Sequence, residues 1–159
     1  MNAAADFYRR VEADCPAFQA RATARSLTRY YNAAFQPLGI TAEQFSLLVG
    51  IAGSTKPTLV ELATRAGVDA TTLSRAVRTL EHSGLVYSGG GRGRAGKRLD
   101  LTHPGYTLME EAMPIWERAR SQLADALGDD MMKAAHSAMC GLSAAAQTAI
   151  SGPLSNSSR

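Results

Sequence analysis

Thr58 and Asp69 both carry helix-start chemistry, and only Gly67 and Val68 separate the two stretches that they begin. That spacing constrains the fold of this chain more than any other feature. Thr58-Leu59-Val60-Glu61 is a capping box, in which the threonine oxygen accepts from the Glu61 backbone N–H while the glutamate side chain returns to the threonine N–H. A short helix therefore runs to about Ala66. Asp69 is a good N-cap, and Leu73, Ala76, Val77 and Leu80 keep helical spacing behind it. Two short helices joined across a glycine turn are a helix-turn-helix unit.

The flanks extend this unit. Cys15-Pro16 opens a helix to about Phe35, with Leu27, Tyr31 and Phe35 at fourfold spacing, and Pro37-Leu38-Gly39 ends it. Thr41-Ala42-Glu43-Gln44 is another capping box, so a helix follows that carries Phe45, Leu47, Leu48 and Ile51 inward. Beyond Gly84, Leu85-Val86-Tyr87 and Arg98-Leu99-Asp100-Leu101 read as two short strands around a loop, Ser88 to Lys97, rich in glycine and arginine. Thr102-His103-Pro104 caps a long helix with an apolar stripe of Leu108, Met109, Met113 and Trp116, ending near Leu127-Gly128 and kinked at Pro114. A last helix from Asp129 carries Met131, Met132, Ala135, Met139 and Leu142, and residues 151–159 read as a disordered tail. The apolar residues are mostly Ala and Leu, which favours helices. The fold class expected is mainly α (α+β): a winged helix-turn-helix with a two-strand wing, to which the resemblance described below adds a helical dimerisation region formed by the N- and C-terminal helices.

The net charge is only +3, but it is unevenly placed. Between Asp69 and Arg98 six basic residues stand against two acidic ones, leaving the remainder of the chain at −1. A local basic segment in a near-neutral protein is the footprint of a surface that displaces counterions from phosphates. On the helix from Asp69 to Ser83 the apolar face is Leu73, Val77 and Leu80, so Thr71, Arg75, Arg78 and His82 point the other way, flanked by Thr72 and Ser74. Small hydroxyls at the helix start and arginines a turn later suit a recognition helix in a major groove. The bland alternative for such a stripe is a solvated face, and the basic hairpin that follows directly is what favours double-stranded DNA. Thr71, Thr72, Ser74, Arg75, Arg78, Arg92, Arg94, Lys97 and Arg98 are the expected DNA-binding residues.

LVELATRAGVDATTLSRAVRTLEHSGLVYSGG and GKRLDLTHPGY resemble the central region of MarR-family transcriptional regulators, and the resemblance extends over about residues 15–145. It implies a homodimeric regulator, usually a repressor, whose interlocked terminal helices hold two winged units over a pseudo-palindromic operator. Half-sites then lie about 34 Å apart. The implied organisation is a dimerisation helix in 1–40, a winged DNA-binding region in 41–103 and dimerisation helices in 104–150. Apolar stripes on the first and last two helices exceed what a small winged core covers, which independently calls for a partner. Related wings often place an Asp before their arginines, and this one has none, so the tip role passes to Arg94, with Arg92 competing. Relatives bind small aromatic or anionic effectors between the dimer helices and the winged unit, and Arg21, Arg25, Tyr30, Tyr31, Phe45 and Trp116 are the candidates here. Arg21, Arg25 and Arg29 also suit a solvated face or interface ion pairs. Cys15 opens a helix near Arg21, and the peroxide-sensing branch uses a cysteine near this place. Its tyrosine partners are replaced by Ala42 and Phe45, which leaves apolar packing as the alternative.

Other chemistries find little support. Gly91 to Gly96 matches GxGxxG, but a strand follows it where a dinucleotide site needs a helix. The two cysteines, Cys15 and Cys140, are far apart, and His82, His103 and His136 have no carboxylates at ligand spacing, so no metal and no cofactor is expected. No nucleophile triad or paired-carboxylate motif is present, which argues against an enzyme. The N-terminus lacks the apolar core of a signal peptide, and no stretch is long and apolar enough to span a bilayer, so the expected location is the cytoplasm. The remaining alternatives are a winged helix used only for protein interaction, and a redox sensor switched through Cys15.

Overall fold

Thr41, Thr58 and Asp69, the hydroxyl and carboxylate caps read from the sequence, all act as caps in the computed structural model, which describes residues 3–90 and 96–151. The helices are α1 (Ala3–Asp14), α2 (Pro16–Phe35), α3 (Ala42–Ala52), α4 (Leu59–Ala66), α5 (Ala70–His82), α6 (His103–Leu127) and α7 (Asp129–Ser151). A single 3₁₀ turn, Gln36–Leu38, follows α2, and the strands are β1 (Val86–Gly89) and β2 (Arg98–Leu101). α1 was not foreseen. Its alanine-rich start and the Asp6 in its first turn favour a helix, but its apolar residues Phe7, Tyr8 and Val11 are exposed and form no buried stripe. α6 passes through Pro114 without a break.

The chain forms two compact units, Arg25–Ala119 and the described parts of Met1–Ala24 with Arg120–Arg159. Within Arg25–Ala119 the core gathers Leu48 and Ile51 of α3, Leu80 of α5 and Phe35 of α2, all but fully buried. Each such side chain contributes about 1.5–3 kcal/mol of apolar burial. Two glycines shape the unit. Gly67 (φ 66°) donates to the Thr64 carbonyl while Val68 N–H reaches Ala63, and Gly84 (φ 71°) donates to Glu81 while Leu85 N–H reaches Leu80. The same left-handed termination therefore ends both α4 and α5, and turns the chain first into α5 and then into the wing.

β1 and β2 pair antiparallel in the register Val86 to Leu101, Tyr87 to Asp100, Ser88 to Leu99 and Gly89 to Arg98. The first strand lies slightly later than the sequence indicates, because Ser88 and Gly89 still pair across the hairpin. Val86, Leu99 and Leu101 face the core. The turn before α4 adds to the sheet edge: Leu99 N–H donates to the Pro57 carbonyl at 2.8 Å, and Thr58 forms a bridge with Arg98. Thr102 caps α6, accepting from Gly105 N–H at 3.1 Å while its own hydroxyl donates to the Gly84 carbonyl.

The second unit is helical. Gly128 (φ 84°) separates α6 from α7, and the Gln19 side chain donates to the Glu12 carbonyl at 2.7 Å. Phe7, Val11 and Phe18 are exposed in this single chain, as are Met131, Met139 and Leu142 on α7.

Candidate nucleic-acid interface

α5 begins where Asp69 Oδ1 accepts the Thr72 N–H at 2.8 Å and Oδ2 accepts the Thr72 hydroxyl. Those bonds, the hydroxyl's foremost, hold the Asp69 carboxyl below its ordinary value. Thr72 is thereby turned toward the cap. From this anchor the helix splits into two faces: Leu73, Val77 and Leu80 are buried, while Thr71, Arg75, Arg78 and His82 are exposed. His82 Nδ1 donates to the Arg78 carbonyl at 2.7 Å. Ala76, although in register with the apolar residues, is exposed too.

Beside this stripe lies a groove of about 310 Å³ between α5, the start of α4 and the wing, lined in part by Thr58, Ser74, Arg78, Glu81, Ser88 and Lys97. The fold thus brings Ser74 and Arg78 of α5 together with Lys97 of the wing. Arg98 is exposed, but its Nη1 donates to the Lys56 carbonyl at 2.9 Å, so part of its guanidinium serves the protein itself. Arg92 and Arg94 lie outside the described residues. Glu81 is an acid in the same groove as the cations Arg78 and Lys97, which charge counting along the chain registers but cannot place.

The arrangement can present cations and hydroxyls to a polyanion along one helix and one adjoining hairpin. The MarR family model matches residues 40–88, which hold α3, α4, α5 and most of β1. The transcriptional regulator MosR of M. tuberculosis, solved in complex with DNA, is 34% identical with a TM-score of 0.72, over 84% of this chain and 98% of that one. This chain belongs to the MarR family. A MarR cysteine-to-serine mutant from E. coli complexed with operator DNA has the same fold at 23% identity and a TM-score of 0.74, over 84% and 96% of the two chains. The MepR–DNA complex of S. aureus does so at 18% identity and a TM-score of 0.69, over 82% and 95%. No curated protein sequence matches.

In this MarR-family chain the aromatic residues considered for an effector pack against one another. Tyr30 meets Tyr31 edge-on at 5.3 Å, Tyr31 stacks on Phe35 at 6.1 Å, and Phe35 stacks on the buried Phe45 at 4.4 Å. The Tyr30 hydroxyl donates to the Ala119 carbonyl at 2.9 Å. Trp116 is half-buried against the same core, whereas Arg25 is exposed. Arg21 is exposed in the other unit. Cys15 is partly buried at the junction of α1 and α2, its N–H donating to Val11, and Cys140 Sγ lies 3.7 Å from His136 Nε2. Among the described residues no group of three or more His, Cys, Asp or Glu can hold a metal ion, and no helix is long and apolar enough to cross a membrane.

One polar cluster escaped the sequence reading. Asp100 of β2 sits among Lys56, Tyr87 and Tyr106, which come from three other segments of the chain. Only the Tyr87–Asp100 pairing was within reach, since opposed strands in a hairpin place their outward residues side by side.

Proposed function

We propose that this chain, a DNA-binding transcriptional regulator of the MarR family, acts as a homodimeric repressor on a pseudo-palindromic operator and catalyses no reaction. The observation that carries the reading is the exposed Thr71–Arg75–Arg78 stripe of α5 running beside a groove completed by Lys97 of the wing. The stripe lies in the major groove, Thr71, Ser74, Arg75 and Arg78 meeting base edges or phosphates, while Lys97, Arg98, Arg92 and Arg94 meet the backbone. Thr72 supports the helix start. Residues 41–103 are the DNA-binding region, and 1–40 with 104–150 supply dimerisation. The exposed apolar residues of α1 and α7 are the surface that a second copy covers. The protein works in the cytoplasm, and a small aromatic or anionic effector, or oxidation at Cys15, shifts its DNA affinity by favouring one arrangement of the two winged units.

Genomic fragments selected by the purified protein supply the duplex for the test. Arg75→Ala and Arg78→Ala are expected to weaken binding by about 1–3 kcal/mol each with loss of base preference, and Lys97→Ala to weaken it evenly and reduce the salt slope. Unchanged affinity in all three overturns the assignment. A flat response of the wild type to salt on random duplex points instead to a protein-interaction module.

A further inference from the structure

The polar cluster at the base of the wing does more than decorate a strand. Asp100 is an outward-facing residue of β2, between the buried Leu99 and Leu101, where a side chain ordinarily meets water. Its side chain is nevertheless only 19% exposed. Oδ1 accepts from the Tyr106 hydroxyl at 3.1 Å and from the Leu101 N–H at 2.9 Å. Oδ2 accepts from the Tyr87 hydroxyl at 3.2 Å and lies 3.3 Å from Lys56 Nζ. One carboxylate thus joins both strands of the hairpin, the first turn of α6 and the turn between α3 and α4.

Lys56 is held from both ends. Its backbone adopts φ 50°, a left-handed conformation unusual for lysine, while Arg98 of β2 donates to its carbonyl at 2.9 Å and its ammonium pairs with Asp100. A two-stranded hairpin is marginal by itself. The inner face of this one is fastened by core packing, and its outer face by Asp100. Burial pushes the Asp100 carboxyl up, but the bonds from Tyr106, Lys56, Tyr87 and the Leu101 N–H together outweigh it and keep the group below its ordinary value, hence ionised.

We propose that Asp100 is a positioning residue for DNA binding: its carboxylate latches the root of the wing to α6 and to the α3–α4 turn, and so sets where Lys97 stands beside Arg78. The inference rests on the regulator reading above. Lys97 directly precedes β2 and lines the groove with Arg78, so a change in hairpin tilt moves one cation relative to the other.

The test measures affinity for a selected genomic fragment at fixed salt in a double-mutant cycle. Asp100→Asn is expected to bind on the order of tenfold more weakly, and the same change in a Lys97→Ala background to have an effect below about threefold, because the wing contact it serves is already gone. Amide exchange at Leu101 is expected to quicken in Asp100→Asn. Wild-type affinity in Asp100→Asn, or an undiminished loss in the Lys97→Ala background, overturns the latch. A Tyr87→Phe/Tyr106→Phe pair that binds like the wild type overturns it as well, even where Asp100→Asn does not fold. Arg75→Ala separates the two readings: if it loses affinity while Asp100→Asn does not, DNA binding stands and only the latch falls. A wild type without salt-dependent binding removes both.

Discussion

Replacing Gly105 with alanine sets helix propensity against close packing, and the structure decides the sign. Gly105 lies in the first turn of α6, where alanine in place of glycine gains up to about 1 kcal/mol from the reduced freedom of the unfolded chain. A Cβ at that position falls 2.1 Å from the Leu85 carbonyl oxygen, 3.1 Å from its carbon and 3.3 Å from Leu101 Cβ. The obstacle is backbone. The Leu85 carbonyl accepts the Thr102 N–H at 3.0 Å, so moving it aside breaks the bond that joins the hairpin root to α6. Overpacking of this kind costs about 1–3 kcal/mol and the lost bond about 1 kcal/mol. Set against the propensity gain, the expected loss of stability is about 1–3 kcal/mol. Urea unfolding followed by circular dichroism, at one fixed protomer concentration because the stability of the proposed homodimer depends on concentration, measures it. A Gly105→Ala protein as stable as the wild type, or more so, refutes the claim that α6 approaches the hairpin too closely for any side chain.

Further expectations concern caps and charge. Thr58→Ala removes the acceptor for the Glu61 N–H at 3.2 Å and is expected to destabilise by about 1 kcal/mol, read from the urea midpoint. Tyr30→Phe deletes the bond to the Ala119 carbonyl and is expected to cost about 1 kcal/mol in the same assay. The carboxyls of Glu61, through the Thr58 N–H first, of Asp69, through the Thr72 hydroxyl first, and of Asp100 are all held below their ordinary values. Their contribution to stability is present above the ordinary carboxylate range near pH 4 and is lost as pH falls through the depressed folded values. Urea midpoints are therefore expected to drop on acidification below about pH 4, and less steeply in Asp100→Asn. Lys56 is raised, chiefly by its hydrogen bond to Asp100, so that pairing persists below the ordinary lysine range and is lost as pH rises through its higher folded value. An alkaline limb unaffected by Lys56→Met counts against it.

Local chemistry made the central unit readable. Thr41, Thr58 and Asp69 satisfy N–H groups within three residues of themselves, and Gly67 and Gly84 supply left-handed turns that need no distant partner. The α5 faces followed as directly, because the rotation per residue in a helix is constant, and burial of Leu73, Val77 and Leu80 leaves Arg75 and Arg78 outside. Pattern reading failed where the pattern is not local. α1 has no buried stripe to announce it, and the donors around Asp100 come from Lys56, Tyr87 and Tyr106, which spacing along the chain does not bring together.

The division is one of range. Forces acting over one helical turn or one hairpin, namely caps, left-handed glycines and amphipathic period, are written in the order of residues, and so were the helix-turn-helix and its cationic face. The groove shared by Ser74, Arg78 and Lys97, the Asp100 carboxylate with donors from distant segments, and the need for glycine at position 105 depend on which segments meet in space. Only packing of the whole unit chooses those neighbours, because each such contact closes a long stretch of chain and is held in place by the others.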